Sequence, residues 1–379
     1  MRLFVLGGGQ LALMMCWESQ RIPVDFSVYD PDSSAPAYRC ARRPADPLEE
    51  VERADAVTFE FENVDISLAE RAERLGKLRP PLAYLRLKKS RLEERAFFDS
   101  IGVPTVPWRR AAGWEEALKI AESMRRAVVK VPTGGYDGKG QYVYPREAGA
   151  ISRLEGELLV EEYVDIKREF SIVAVRAENG NVYFYPPAQN YYVHGILVWN
   201  IAPVKAPEEA YEYVHRILDR WKYVGVLAVE FFETSDGRIL ANEIAPRVHN
   251  TAHWTLETDA SQFENHVKAV LGLPVREPKA IAPTAMVNIL GVPIEKLPVA
   301  ELERIGKIYW YYKKEARPRR KMGHVNITGG SLAEVASKAR LALQLIYGRD
   351  FPRLVLRSYA ASGSELASSA GGRQAVVTG

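Results

Sequence analysis

Two glutamates on either side of a hairpin signal carry the most specific chemistry in this chain. Asp236-Gly237 separates two strand-like stretches, Val224 to Thr234 and Arg238 to Ile244, and Asp-Gly favours a two-residue turn. Such a turn pairs Ser235 with Arg238 and sets Glu230 opposite Glu243. Opposed residues of an antiparallel pair share a face, with Cβ atoms ~4.5–5.5 Å apart, and like charges there repel. A divalent cation removes the repulsion, and Mg2+ is commonly held by one or two carboxylates plus substrate phosphates. The apolar surroundings of Glu230, Val-Leu-Ala-Val-Glu-Phe-Phe, argue against a solvated edge. Strict alternation sends Asn242 to the opposite face.

A second constellation suits phosphate. Lys130 ends Ala-Val-Val-Lys-Val, and Thr133-Gly134-Gly135-Tyr136-Asp137-Gly138-Lys139-Gly140-Gln141 follows. The glycines let backbone N–H groups close on an anion, while Lys130 and Lys139 add point charges. The loop lacks the GK[ST] of a Walker A sequence. An earlier cluster, Gly7 to Ala12, fits G-x-G-x-x-A, with Asp30 ending the next strand. It reads either as a dinucleotide turn or as a tight βα turn bringing N–H groups to a phosphate or carboxylate. A second mononucleotide half is missing, which weighs against NAD. An NAD-dependent oxidoreductase is the alternative from another enzyme class.

Three further groups could meet an acceptor. Glu60 and Glu62, at a strand's C-terminal end, suit ribose hydroxyls. Arg247, His249 and Asn250 could line the polar centre of a cleft, where Arg247 and His249 could orient a small anion. His249 and His253 have an H-x-x-x-H spacing without a third ligand, so zinc is not expected. Lys313, Lys314, Arg317, Arg319, Arg320 and Lys321 form a basic run. Pro318 keeps the run from being a regular helix, and it reads as a clamp for one phosphate monoester rather than a nucleic-acid surface.

The elements that must position these groups follow from the pattern. Arg2 to Leu6, Gln10 to Gln20 and Val24 to Tyr29 open the chain as βαβ, which implies a parallel sheet. Ala56 to Glu62 alternates, with Val57, Phe59 and Phe61 on one face and Thr58, Glu60 and Glu62 on the other. A helix over Ile66 to Leu75 follows, and Arg91 to Ser100, Pro207 to Trp221 and Leu332 to Leu345 also read as helices. Strands are expected at Ala127 to Val131, Leu158 to Val164 and Thr284 to Leu290. With 379 residues, 47% hydrophobic and 26% charged, the chain is long enough for two or three domains. A net charge of +3 argues for neither nucleic acid nor membrane. Cys16 and Cys40 lie outside any CxxC pair, and both are expected as buried thiols in a reduced, cytoplasmic chain. Residues 358–379, rich in Ser, Ala and Gly, are expected to stay disordered.

Lys130, the glycine loop, Glu161-Glu162-Tyr163-Val164 and the Glu230/Glu243 pair together resemble the ATP-grasp superfamily. The match narrows to the N5-carboxyaminoimidazole ribonucleotide synthetases. It rests on Gly-Gly-Gln-Leu at 8–11, Gly-Gly-Tyr-Asp-Gly-Lys-Gly-Gln at 134–141, Asn-Glu-Ile-Ala-Pro-Arg-Val-His-Asn at 242–250 and Arg-Pro-x-Arg-Lys-Met-Gly-His at 317–324. The resemblance implies an α/β ATP-grasp fold with a Rossmann-like domain (1–90), a lid domain (91–165) and a large domain (166–357). It implies ATP- and bicarbonate-dependent carboxylation of aminoimidazole ribonucleotide through carboxyphosphate, another ATP-grasp carboxylate–amine ligase being the near alternative. ATP would be held by Arg91, Lys130, Gly135, Tyr136, Asp137, Gly138, Lys139, Gly140, Gln141, Glu161, Glu162, Tyr163, Val164, Glu169, Tyr192, Asn242 and Glu243. Glu230 and Glu243 would hold Mg2+, with two ions expected. The acceptor would contact Gly9, Gln10, Glu60, Glu62, Tyr136, Asp137, Lys313 and Arg320. Lys130, Arg247, His249 and Asn250 would serve the chemistry. A cytoplasmic homodimer with small-molecule partners, and with neither nucleic acid nor membrane, completes the expectation. Two positions depart from the family: Tyr192 stands where a His is usual, and Arg95 where a Lys is common.

Overall fold

The computed structural model describes residues 1–134, 140–145 and 153–348. Gly135 to Lys139 and the tail 358–379 lie outside the described residues. The opening βαβ is as expected. β1 (Arg2–Leu6), β2 (Asp25–Tyr29) and β3 (Ala56–Phe59) form a parallel sheet in the order β2-β1-β3, joined by α1 (Gln10–Ser19). β1 lies in the middle and is buried from Leu3 to Leu6, as a parallel strand covered on both faces must be. α2 (Pro47–Arg53) and α3 (Ile66–Arg74) are capped by the Asp46 and Asp65 carboxylates, which satisfy free N–H groups of the first turn. α4 (Leu82–Leu87) follows.

The alternating strand over 56–62 is corrected. β3 stops at Phe59 with all four of its residues buried, so Phe61 leaves the face of Val57 and Phe59 and is exposed. The reason is Glu60, whose carboxylate turns inward. It accepts from the N–H groups of Gly9 (2.8 Å), Leu11 (3.1 Å) and Ala12 (3.3 Å) at the start of α1. A carboxylate is favoured at this positive helix end. A Cβ on Gly9 would lie 2.6 Å from a Glu60 oxygen, so the approach requires glycine there.

α5 (Arg91–Ser100) precedes a four-stranded antiparallel sheet ordered β4-β7-β5-β6. Its strands are β4 (Trp108–Ala111), β5 (Ala127–Lys130), β6 (Gln141–Tyr144) and β7 (Leu158–Glu162), backed by α6 (Trp114–Ser123). The rest is a nine-stranded sheet. It comprises β8 (Ile166–Arg176), β9 (Val182–Phe184), β10 (Ala188–Val193), β11 (Ile196–Ala202), β12 (Gly225–Thr234), β13 (Ile239–Ala245), β14 (Thr284–Leu290), β15 (Lys307–Trp310) and β16 (Lys321–Thr328). The order is β13-β12-β8-β10-β11-β14-β16-β15, with β9 beside β8. One face of β8 and β12 packs Phe170, Ile172, Val229 and Phe231 against α5 and α7 (Glu208–Arg220). The other packs Val173, Val175, Val226 and Ala228 against α1 and α8 (Gln262–Val270). The N-terminal sheet therefore shares a core with the large one. α9 (Val299–Glu303) and α10 (Leu332–Tyr347) complete the C-terminal part. Among the described residues no helix is long and apolar enough to cross a membrane.

The two cysteines differ from expectation. Cys16 of α1 and Cys40, just beyond a 3-10 turn at Pro36–Arg39, form a disulfide with Cα atoms 6.1 Å apart. The turn packs on α1 and brings together residues that sequence spacing does not link. The thiol argument for a reducing compartment falls with it.

Candidate active site

The glutamate pair forms by a route other than the expected one. The turn is a three-residue loop, Ser235-Asp236-Gly237. Thr234 donates to the Arg238 carbonyl (3.0 Å), and Gly237 adopts φ +87°, which glycine tolerates. That loop sets Glu233 opposite Ile239 and Phe231 opposite Ala241. A β-bulge then makes Asn242 the extra residue and returns Glu230 to a position opposite Glu243. The longer turn and the bulge cancel, so the expected pair stands although the two-residue turn does not.

The pair sits in a low-dielectric setting. Burial first, and the neighbouring Glu243 second, push Glu230 up to about 8. Burial, then Glu230, pushes Glu169 up to about 8 as well. Burial also opposes ionisation of Glu243, but Lys88 and Arg91 outweigh it and hold its pKa below the usual value. Without a cation, a proton is held more readily on Glu230 than on Glu243. An oxygen of each glutamate and a ring nitrogen of His249 lie within 4.8 Å of one another. Glu243 is 39% exposed and opens into the cleft. Two facing carboxylates that repel until a cation joins them fit a hard divalent ion.

The cleft measures about 660 Å3. It brings together Arg91, Lys130, Tyr192, Glu230, Asn242, Glu243, Arg247, His249, Asn250 and Glu62. The bulge turns Asn242 toward it. Arg247 is paired with Glu62 at 2.8 Å. Both polar atoms of the Asn250 side chain are buried without a hydrogen-bond partner among the described residues. His249 Nδ1 lies 2.9 Å from Thr251 Oγ1, and burial, then Arg247, keeps its ring neutral. His253 is fully buried against Phe263 and His324 and stands apart from that group.

Other expected residues lie outside the cleft wall. Glu161 is buried beneath it, bonded to Arg95 (2.7 Å) and Lys130 (2.6 Å). Glu162 N–H bonds the Pro107 carbonyl, and Tyr163 lies under Arg126 at 3.9 Å. Val164 packs with Val106, Phe232 and Leu240. The Gly140 carbonyl accepts from Val131 N–H, and Gln141 opens β6 opposite Lys130. Glu169 is buried on β8. Gly9 and Gln10 begin α1, where the Gly9 N–H is held by Glu60. Glu60 is therefore a helix cap, not a free ribose ligand. Asp30 likewise takes the Gly8 N–H at 2.8 Å. The amides that would cradle a dinucleotide pyrophosphate face two carboxylates, which repel it. Lys313 and Arg320 lie in the basic run. Burial, then Arg320 and Lys321, lowers Lys313 to about 8, as expected where cations gather around a place for an anion.

Sequence comparison places these features in one lineage. The ribonucleotide synthetase preATP-grasp domain matches residues 1–88, the ATP-grasp domain 96–263 and the phosphoribosylaminoimidazole carboxylase C-terminal domain 284–338. A relative from Saccharolobus solfataricus named N5-carboxyaminoimidazole ribonucleotide synthase is 42% identical, covering 91% of this chain and 96% of its own. The chain belongs to the N5-carboxyaminoimidazole ribonucleotide synthase family. Its fold is ATP-grasp with a preATP-grasp domain. The crystal structure of the phosphoribosylaminoimidazole carboxylase ATPase subunit from Aquifex aeolicus superposes with a TM-score of 0.80 at 36% identity, over 91% of this chain and 100% of that one. The Thermus thermophilus N5-carboxyaminoimidazole ribonucleotide synthetase gives 0.82 at 34%, over 92% and 99%.

Within that family frame, the two departures have structural settings. Tyr192 lines the cleft with its phenol oxygen buried beside Glu230 and makes that carboxyl more acidic, yet this oxygen has no partner of good hydrogen-bond geometry among the described residues. Arg95 spans Glu161 and the Asn242 carbonyl (2.6 Å), two contacts that a forked guanidinium reaches at once. Sequence reading missed Lys88, which lies 2.9 Å from Glu94 and 3.4 Å from Glu243. Burial disfavours its charge, but those carboxylates outweigh it and push its pKa up to about 12. Nothing in the local pattern Lys88-Lys89-Ser90 signals a partner so distant in the chain.

Proposed function

We propose that this chain joins bicarbonate to the exocyclic amine of 5-aminoimidazole ribonucleotide, with ATP as the activating substrate, to give N5-carboxyaminoimidazole ribonucleotide. The observation that carries the site assignment is the Glu230/Glu243 pair opening into one cleft with Lys130, Arg91 and Arg247. Glu230 and Glu243 would hold Mg2+, which neutralises phosphate charge when bound. Lys130 and Arg91 would meet the triphosphate, together with the loop 135–141. Arg247, His249 and Asn250 would orient bicarbonate. The Rossmann-like part would take in the first matched region, residues 1–88, and the lid and the glutamate-bearing part would divide the ATP-grasp region, residues 96–263.

Bicarbonate is a weak electrophile at neutral pH, so its activation comes first. A bicarbonate oxygen attacks the γ-phosphorus, the bond to the β-phosphate oxygen breaks, and ADP leaves with carboxyphosphate formed. The amine nitrogen then attacks the carboxyl carbon, phosphate departs, and the nitrogen loses a proton. The protein's part is positioning and charge neutralisation. The neutral imidazole of His249 can accept a hydrogen bond without adding a second cation beside Arg247.

The basic run is assigned to the acceptor's phosphate. Arg320→Ala is expected to raise KM for aminoimidazole ribonucleotide at least tenfold, about 1.4 kcal/mol, and to leave KM for ATP unchanged. Initial rates with each substrate varied check this, and equal rises in both would remove the clamp. Tyr192→Phe is expected to leave KM for ATP unchanged, because the phenol oxygen is buried beside Glu230 rather than open to the cleft. A severalfold rise would place the hydroxyl on the nucleotide.

The reaction itself is tested by following product formation from labelled bicarbonate. Label entering an acid-labile carbamate only when both ATP and the amine are present is the expected result.

A further inference from the structure

The bulge in β13 decides which way Glu243 faces. Where the hairpin leaves its turn, Phe231 stands opposite Ala241. Continued without interruption, that register would set Glu230 opposite Asn242 and Glu243 opposite Val229. Val229 belongs to the apolar core on the other face of the sheet. A one-residue slip turns each side chain to the opposite face, so without the extra residue Glu243 would leave the cleft. A bulge disrupts the ladder locally, and something must hold this one.

β13 is an edge strand, and its outer side is covered by α5 and the segment after it. The Ala241 N–H bonds the Pro104 carbonyl at 2.7 Å. On either side of Glu243, two neighbours in α5 grip the backbone. Arg95 donates to the carbonyl of Asn242 at 2.6 Å, and Glu94 accepts from the N–H of Ile244 at 2.9 Å. Both side chains are 5% exposed. Each is anchored a second time: Glu94 by Lys88 (2.9 Å), which continues to Glu243 itself, and Arg95 by Glu161 (2.7 Å). Charged hydrogen-bond partners in a buried setting are shorter and stronger than neutral ones.

We propose that Glu94 and Arg95 are positioning residues for the metal site, holding the bulge that turns Glu243 toward Glu230. The inference rests on the reading of Glu230 and Glu243 as Mg2+ ligands. It adds that the ligand geometry is set from α5, by two residues at the cleft's inner wall that act on Glu243 through the β13 backbone. Groups that orient metal ligands typically change metal affinity 10–100-fold when replaced.

The test uses Mn2+ as the probe, with free ion measured by electron paramagnetic resonance in the presence of ADP. Glu94→Leu and Arg95→Met, each folded by circular dichroism, are expected to weaken Mn2+ binding at least tenfold. In steady state they should lower kcat and leave KM for aminoimidazole ribonucleotide unchanged. Glu94→Gln, which still accepts from Ile244 N–H, and Arg95→Lys, which still donates to the Asn242 carbonyl, are expected to recover most of the Mn2+ affinity. Unchanged Mn2+ affinity in the folded Leu or Met variants overturns the proposal. If Arg95→Met does not fold, Glu94→Leu carries the test; failure of both to fold marks the pair as merely structural and overturns it too. Glu243→Gln separates the two readings. If it keeps full Mn2+ affinity, the metal assignment itself is wrong. If it loses affinity while the α5 variants do not, only the positioning role fails.

Discussion

Replacing Glu243 with Gln yields a folded protein that no longer releases ADP in response to bicarbonate. Gln is nearly the shape of Glu, so the β13 backbone contacts of Arg95 and Glu94 are untouched. The charge is what disappears, and an amide is a poor ligand for Mg2+ in a site that offers one or two carboxylates. Loss of one preorganised charge at a phosphoryl-transfer centre is worth on the order of 10²–10³ in kcat. Stability should not fall with activity. Glu230 and Glu243 are directly opposed, and the substitution removes a charge that disfavours ionisation of Glu230. Lys88 keeps Glu94 as a counter-ion at 2.9 Å. Coupled-enzyme detection of ADP, beside a thermal melt, reads both expectations. A variant that keeps its bicarbonate-dependent rate would remove the metal role of Glu243.

A large loss of stability is expected at Glu161. Its carboxylate lies between Arg95 and Lys130 at 2.7 and 2.6 Å, and its side chain is 4% exposed. Glu161→Ala leaves two buried cations facing each other without the carboxylate that bridges them. Breaking a buried pair by removing one partner costs about 3–5 kcal/mol, which urea unfolding of the metal-free protein can resolve. The pH dependence has a definite sign. Burial disfavours the Glu161 charge, but Arg95 and Lys130 outweigh it and hold the pKa at about 2, below the ordinary 4.5. A carboxyl more acidic when folded than when unfolded contributes stability that is fully present above about pH 4.5 and is lost as pH falls toward 2. The wild-type protein should therefore lose this contribution across that window, and the variant should lack that part of its acid sensitivity. Equal stability of the two proteins at pH 7 would mean that the triad is not coupled to folding.

Legibility in the sequence divides along the range of the interactions. The opening βαβ, the capped helices α3 and α5 and the long α10 were readable, because periodicity, Asp65, Ser90 and Ser331 act within a turn or two. The cluster Arg247-His249-Asn250 was readable as a polar centre, and it does line the cleft. The Glu230/Glu243 pair was readable in outcome but not in cause, since neither the longer turn nor the bulge at Asn242 shows in composition. What stayed hidden depends on contacts between distant segments. Glu60 looked like an outward acid until the α1 amides claimed it from about fifty residues away in the chain. Cys16 and Cys40 carried no spacing signal. Lys88 and Glu94, which contact Glu243 and the β13 backbone beside it, sit in an ordinary helical approach whose purpose appears only when β13 is laid against it.

The central claim is that this cleft uses ATP to activate bicarbonate for an amine. The most direct measurement follows ADP release from ATP with Mg2+ and aminoimidazole ribonucleotide, with bicarbonate supplied or stripped from degassed buffer. ADP formation that rises with bicarbonate and saturates, matched by one carbamate per ADP, is the predicted result. ADP formation indifferent to bicarbonate, or none with all three substrates present, would contradict it.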